Sequence, residues 1–189
     1  QIEVLASDPS NPVEGQVWFN STDNVLKGQS ATAAGAWSTG GALNTARYVL
    51  GGGGSQTAAI AFGGAITPGP NSSALTELYN GTSWSEVNDL NTARERCSSA
   101  ATTNTPSAAV IAGGGMSGLN VTETWNGTNW SSPGATLNQG RKDNEGGGSG
   151  ISTAGIIAGG NNGSPYAQTE LWNGSAWTEV NDLNTTRSG

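Results

Sequence analysis

Leu90-Asn91-Thr92-Ala93-Arg94 … Val110-Ile111-Ala112-Gly113-Gly114-Gly115 … Val121-Thr122-Glu123-Thr124-Trp125-Asn126-Gly127-Thr128-Asn129-Trp130 is the stretch whose reading decides the fold. The same phrase stands before it as Leu43-Asn44-Thr45-Ala46-Arg47 … Ala61-Phe62-Gly63-Gly64 … Glu77-Leu78-Tyr79-Asn80-Gly81-Thr82-Ser83-Trp84. It follows again as Leu137-Asn138-Gln139-Gly140-Arg141 … Ile157-Ala158-Gly159-Gly160 … Glu170-Leu171-Trp172-Asn173-Gly174-Ser175-Ala176-Trp177, and Leu183-Asn184-Thr185-Thr186-Arg187 opens a fourth copy. Leu43, Leu90, Leu137 and Leu183 are 47, 47 and 46 residues apart, and Trp37, Trp84, Trp130 and Trp177 are 47, 46 and 47 apart. A fixed period near this length marks a propeller or an array and takes precedence over any element-by-element reading.

Within the period each repeat reads as four short strands. The first follows the Arg and varies most: Tyr48 to Gly54, Glu95 to Thr102, Lys142 to Ile151. The second is a small apolar run, Ala58 to Phe62, Ala108 to Ala112 or Ala154 to Ala158, closed by a glycine doublet that allows positive φ and close backbone approach. The third is Leu75 to Tyr79, Val121 to Trp125 or Gln168 to Trp172. Asn80-Gly81, Asn126-Gly127 and Asn173-Gly174 then predict type I′ hairpin turns into a fourth strand carrying the second Trp. No stretch of helical length has helical periodicity, so the chain is expected to be all-β.

Residues 1–42 form an imperfect lead-in with a short strand within Gln1 to Ala6 and a Pro-bearing connector, Asp8-Pro9-Ser10-Asn11-Pro12. Gln16 to Asn20 and Val25 to Gly28 are expected to pair across Ser21 to Asn24, and Gly35-Ala36-Trp37 keeps step with the repeat tryptophans as part of a further blade. The repeats then divide as 43–89, 90–136 and 137–182, with a new one opening at 183. Two closures are open: the segment from Leu183 joins the lead-in strands as a composite blade, or the polypeptide continues past Gly189, which is favoured because little of a first strand follows Arg187.

Composition narrows the function classes. The chain of 189 residues and 19.0 kDa carries 30 glycines, 11% charged residues and a formal net charge of −7. Low charge alone would fit disorder, but seven regularly spaced Trp argue for packing. An acidic chain lacks the usual electrostatic term for nucleic acid, and four of its seven basic residues (Arg47, Arg94, Arg141, Arg187) are locked to one repeat position. No apolar run reaches the roughly 18 residues of a membrane span, so no membrane insertion is expected. The single cysteine, Cys97, excludes an intrachain disulfide and reads as a small, partly buried apolar residue.

The four strands, the glycine doublet after the second, and the aromatic before and Trp after the turn resemble the kelch repeat over residues 43–182. The resemblance implies kelch-like β-propeller blades: three full four-stranded antiparallel blades plus partial ones. Kelch propellers usually have five to seven blades, which this chain does not supply. A second resemblance lies in the lead-in, where Asp8-Pro9-Ser10-Asn11-Pro12-Val13-Glu14-Gly15-Gln16-Val17-Trp18-Phe19-Asn20-Ser21-Thr22 … Leu26-Lys27 is similar to a segment of bacteriophage tail-fibre and virion appendage proteins.

With no histidine, Ser-His-Asp and Cys-His machinery and the commonest metal ligand are excluded. Carboxylates mostly recur by repeat (Glu77, Glu123, Glu170; Glu86, Glu179; Asp89, Asp182), whereas a catalytic pair breaks repeat symmetry. We therefore expect no catalytic, cofactor-binding or metal-binding residues and no enzyme. One Arg and one Glu per repeat predict an Arg–carboxylate or Arg–carbonyl contact within or between blades, the alternative being a ring of charges around a channel. Asn-x-Ser/Thr at Asn80, Asn126, Asn173 and Asn184 matches a glycosylation pattern, but turn formation accounts for the first three. Gly51 to Gly54 is no phosphate loop, since neither helix nor lysine follows.

Recognition is expected in the asymmetric loops, Ala65 to Ala74, Met116 to Asn120 and Asn161 to Ala167, and in the first-strand loops. The candidate ligand-facing residues there are Tyr48, Asn71, Asn161, Asn162 and Tyr166, the two tyrosines as platforms for a sugar ring. The sequence thus points to a non-catalytic structural protein of a phage virion (tail fibre, appendage or decoration), located on the extracellular particle. Its expected partners are other virion proteins, copies of itself and a host-surface glycan, with no nucleic acid. The alternative is a bacterial surface or secreted kelch-type module that binds polysaccharide or protein.

Overall fold

The computed structural model describes residues 2–11, 13, 15–29, 39–67, 71–101, 108–115, 119–143 and 148–188. Among them there is no helix, and the chain divides into two compact units, Gln1–Thr39 and Gly40–Gly189. Gly35-Ala36-Trp37 and Met116 lie outside the described residues.

The first unit is a three-stranded sheet of β1 (Glu3–Leu5), β2 (Val17–Asn20) and β3 (Val25–Gly28). β1 runs parallel to β2, while β2 and β3 form the expected hairpin with Asn20 opposite Val25. Asp8 ties the connector to that hairpin, accepting hydrogen bonds from Trp18 Nε1 (3.0 Å), Asn20 Nδ2 (2.7 Å) and Lys27 Nζ (2.8 Å).

The second unit is three successive four-stranded antiparallel meanders. Sheet 1 comprises β4 (Gly51–Ser55) and β5 (Ala58–Phe62), then, after the side ladder β6 (Ala65–Ile66) and β7 (Asn71–Ser72), β8 (Thr76–Tyr79) and β9 (Trp84–Glu86). Sheet 2 comprises β10 (Ser98–Ala101), β11 (Ala109–Ala112), β12 (Thr122–Trp125) and β13 (Trp130–Ser131). Sheet 3 comprises β14 (Gly148–Ile151), β15 (Ala154–Ala158), β16 (Thr169–Trp172) and β17 (Trp177–Val180). The first strand of sheet 2, β10, lies against both β4 and β14, so the three sheets meet along their first strands.

Two local expectations need correction. The first strands do not begin at Tyr48, Glu95 and Lys142. Two residues after each repeat Arg, the chain turns through a left-handed residue, Val49 (φ 47°), Arg96 (φ 53°) or Asp143 (φ 49°), which ends extended pairing before the strand proper starts. The Asn-Gly turns are not type I′ either. Tyr79 pairs with Trp84, Trp125 with Trp130 and Trp172 with Trp177, leaving four-residue loops in which Gly has positive φ and Asn does not. Instead the Asn side chain caps the loop. Asn80 Oδ1 accepts from the Thr82 and Ser83 N–H groups, as Asn126 Oδ1 does from Thr128 and Asn129 and Asn173 Oδ1 from Ser175 and Ala176. This is the Asx-turn chemistry of asparagine, and it needs no left-handed Asn.

Each hairpin stacks its two aromatics across the loop, with ring centroids 5.1, 5.4 and 5.3 Å apart in sheets 1 to 3. Trp130 and Trp177 then reach the preceding sheet. Trp130 is 6% exposed, donates its indole N–H to Thr76 Oγ1 (2.9 Å) and meets Phe62 edge-on at 4.9 Å; Trp177 donates to Thr122 Oγ1 (2.8 Å). Ile60, Phe62, Leu90, Cys97, Trp125 and Trp130 form one buried cluster, and Leu137, Ile157, Trp172 and Trp177 a second. Trp130 is thus buried against a neighbouring sheet, and Cys97 is buried among apolar residues.

Candidate functional site

Three of the four repeat-locked arginines are each buried on a repeat-locked glutamate. Leu90–Arg94 runs from sheet 1 to sheet 2 and is bonded to both. Its backbone belongs to sheet 1: Leu90 N–H donates to Ala74 O (3.0 Å), Arg94 N–H to Ser73 O (3.1 Å), and Gly64 N–H to Arg94 O (2.9 Å). Its side chains belong to sheet 2: Arg94 donates to Glu123 Oε1 (2.6 Å) and to the Gly113 and Val121 carbonyls (3.2 and 3.0 Å), while Asn91 donates from backbone and side chain to Glu123 Oε2 (2.7 and 2.9 Å). Leu137–Arg141 repeats the joint between sheets 2 and 3 with Glu170, Gly159 and Gln168, and Arg47 with Asn44 serves Glu77, Gly63 and Leu75. All six partners of these ion pairs have side chains at most 1% exposed.

The glycine doublets are what let the joint pass. A Cβ at Gly63 would sit 2.6 Å from Arg94 O and one at Gly113 2.5 Å from Arg141 O, and both glycines have positive φ (64° and 70°). Here the Arg–carboxylate and Arg–carbonyl contacts expected of the repeated Arg and Glu are both realised. The groups are hydrogen-bonded on all sides, as a buried pair requires.

Repeat symmetry breaks next to each joint. Tyr48, Glu95 and Lys142 occupy one position, and Val49, Arg96 and Asp143 the next. Arg96 N–H donates to Val49 O (3.0 Å) and Asp143 N–H to Arg96 O (3.1 Å), so these left-handed residues form a backbone-linked row across the three sheets. Arg96 Nη1 lies 2.7 Å from Asp143 Oδ1, and Asn161 Nδ2 donates to Asp143 Oδ2 at 3.0 Å. Burial on its own raises the Asp143 carboxyl, but the Arg96 and Asn161 hydrogen bonds and the nearby charges of Arg96 and Lys142 outweigh it and hold the carboxyl below its usual range.

The five candidate ligand-facing residues distribute unevenly around this row. Tyr48, 46% exposed, exchanges backbone hydrogen bonds with Ala65 at one end (3.1 and 2.8 Å). Asn161, half-buried, does the same with Lys142 at the other end (both 2.9 Å). Asn71 is exposed on β7 opposite Ile66, and Asn162 is exposed in the loop that returns to Pro165. Tyr166 is already occupied: its hydroxyl accepts from Gln139 Nε2 (3.1 Å), the Arg141 guanidinium lies 5.9 Å from its ring centroid, and its backbone bonds Gly160 and Arg187. It stands where Ser73 and Leu119 stand in the other joints.

Sequence reasoning missed the row itself. Its signal was in the period: Arg96 and Asp143 are opposite charges one repeat apart, two residues after Arg94 and Arg141. Among the described residues no group of three His, Cys, Asp or Glu side chains is placed to hold a metal. A shallow depression between the sheet 2 joint and the loop after β13 is lined by Thr92, Thr122, Ser132 and Thr136, hydroxyls without a charged group. No protein-family model matches the chain, and no curated protein matches it.

Proposed function

We propose that this chain is a non-catalytic structural module of a phage particle, a tail-fibre, appendage or decoration component. Its three meanders act as kelch-like propeller blades, and its unequal loops make the outward contacts. The observation that carries the reading is the joint: a buried Arg–Glu pair with an Asn beside it recurs three times, and at Leu90–Arg94 and Leu137–Arg141 it holds one sheet to the next. Charges spent in this way are unavailable for chemistry on a substrate, and they build a rigid scaffold that displays variable segments. The propeller reading is supported by four antiparallel strands per sheet and by first strands that lie side by side. The virion context is supported by the lead-in, whose Asp8 and Lys27 knit the connector to the β2–β3 hairpin as a compact attachment unit.

On this reading the module sits on the particle exterior, bound to other virion proteins and to copies of itself. The loop from Asn161 to Ala167 and the Tyr48 edge face a host-surface glycan. The test is a particle carrying Tyr48→Ala and Asn162→Ala, exposed positions outside the joints. Assembly should be intact and adsorption lost. Unchanged adsorption would leave the protein as scaffold alone, and absence of the protein from purified particles would sink the virion reading in favour of a bacterial surface or secreted module.

A further inference from the structure

Sheet 3 has a face that sheet 1 does not leave open. In sheet 1, Ile60 and Leu78 are cross-strand partners, with Thr76 and Val87 on the same side. Ile60, Leu78 and Val87 pack in the cluster that holds Trp125 and Trp130 of sheet 2, and Thr76 accepts the Trp130 indole N–H. The matching residues of sheet 3 are Ile156 and Leu171, again cross-strand partners, with Thr169 and Val180 paired beside them. Ile60 is 2% exposed, whereas Ile156, Leu171 and Val180 are 39%, 41% and 38% exposed. Thr169, equivalent to the acceptors Thr76 and Thr122, receives no indole among the described residues.

Beside this face stands half of a joint. Leu183 N–H donates to Ala167 O (2.9 Å), Arg187 N–H to Tyr166 O (3.0 Å), and Gly160 N–H to Arg187 O (2.9 Å), bond for bond the backbone half seen at Leu90–Arg94 and Leu137–Arg141. The side-chain half is not made among the described residues. Arg187 and Asn184 are exposed, and Arg187 forms no ion pair among the described residues, where Arg47, Arg94 and Arg141 are each buried on a glutamate.

We infer that this face and half-joint are a docking surface for a further repeat sheet outside these 189 residues. Its third strand carries a glutamate for Arg187 and Asn184, and its fourth begins with a Trp that covers Ile156 and Leu171 and donates to Thr169. The partner's chemistry follows from continuity with two completed joints in the same molecule and from charge complementarity to a guanidinium that has no ion pair among the described residues. An intact second copy does not fit. Its nearest equivalent, sheet 1, has Glu77 saturated by Arg47 and Asn44 and the Trp84 indole committed to Gly41 O (3.1 Å). The lead-in strands offer no Thr-Glu-x-Trp sequence. The inference rests on joint geometry and stands apart from the virion reading.

The test extends the full chain by one repeat, a second copy of residues 142–189 joined after Arg187. The extended chain should melt as one cooperative unit above the 189-residue chain. Arg187→Ala should lower its Tm by about 10 °C, the cost of orphaning a buried glutamate in a domain of this size, while moving the 189-residue chain by no more than about 1 °C, as for an exposed side chain. Leu171→Glu should likewise lower Tm only in the extended chain. Equal effects in both chains, no effect of either substitution in the extended chain, or an added repeat that remains unfolded would each overturn the inference. A concentration-dependent dimer of the 189-residue chain, seen by sedimentation and lost on Leu171→Glu, would overturn it in favour of a second copy.

Discussion

Both units of the chain use carboxylates to hold loops in place, but in opposite surroundings. In the repeat unit Glu123 is wholly buried beneath Arg94, Asn91 and the backbone of Thr92. In the lead-in unit Asp8 does a similar job with Lys27, Asn20 and Trp18, yet its side chain and that of Lys27 stay 49% and 30% exposed. Burial multiplies the consequence of breaking a contact more than the worth of making it, because an orphaned buried charge has no water to turn to. The joints are therefore expected to be brittle and the lead-in tolerant.

The largest effect should come from halving a joint. Arg94→Ala leaves Glu123 buried with its main partner gone and should cost about 3–5 kcal/mol. Replacing both partners, Arg94→Met with Glu123→Leu, should cost clearly less, since no charge is then stranded. Denaturant unfolding of the two variants measures the difference; equal losses would show that the joint matters through shape and not through charge. Next comes Trp130→Ala, which removes the indole from Thr76 and Phe62 and should cost about 3–4 kcal/mol, whereas the half-buried Trp84→Ala should cost about half as much. A larger loss at Trp84 would invert the role we give to inter-sheet packing.

Those two sites also mark what could be read in the sequence. The period, the four strands and the aromatic hairpin pairs were legible because each depends on side chains repeated at fixed spacing. The Arg–Glu contact was legible as a ratio of one to one. Its division of labour was not: that the backbone of Leu90–Arg94 bonds one sheet and its side chains the next depends on how sheets follow each other in space. The row Val49, Arg96 and Asp143 escaped for a related reason. A left-handed Val is disfavoured by its branched side chain, so no local propensity announces it, and the joint beside it imposes the conformation. Among the candidate ligand-facing residues, Tyr166 looked free because it breaks the pattern. The tyrosine in fact fills a joint position, and its ring meets an arginine from the preceding segment.

Smaller effects separate conformational from chemical requirements within the joint. Gly113→Ala adds a Cβ 2.5 Å from Arg141 O at a φ of 70°, and should cost about 2–3 kcal/mol. Gly134→Ala, also at positive φ but with nothing within 4 Å, should cost about 1 kcal/mol. If the two are equal by thermal unfolding, conformation alone governs and the close passage of the joint is irrelevant. Asn126→Ala removes the cap on the Thr128 and Asn129 N–H groups, which water can replace, and should cost about 1 kcal/mol. Asn126→Gly should retain the hairpin by the same measurement.

The smallest effect lies in the lead-in, and it is distinguished by pH. The hydrogen bonds from Lys27, Asn20 and Trp18 hold the Asp8 carboxyl at about 2, below its ordinary 3.8. A carboxyl lowered on folding contributes stability that is complete above the unfolded value and is lost as pH falls toward 2. Lys27 is raised by Asp23 and Asp8, so its contribution is complete below its ordinary 10.5 and fades only above it. The lead-in should therefore be indifferent to pH between about 4 and 10 and loosen below about 4. The Trp18 indole N–H resonance, bonded to Asp8, reports this directly, and Asp8→Asn should flatten its acid limb. Because the cluster is exposed, molar salt should weaken it as well. An acid transition of the Trp18 signal centred near 4 in place of 2, or one unmoved by Asp8→Asn, would remove Asp8 as the pin of the lead-in. The contrast with the joints would then rest on burial alone.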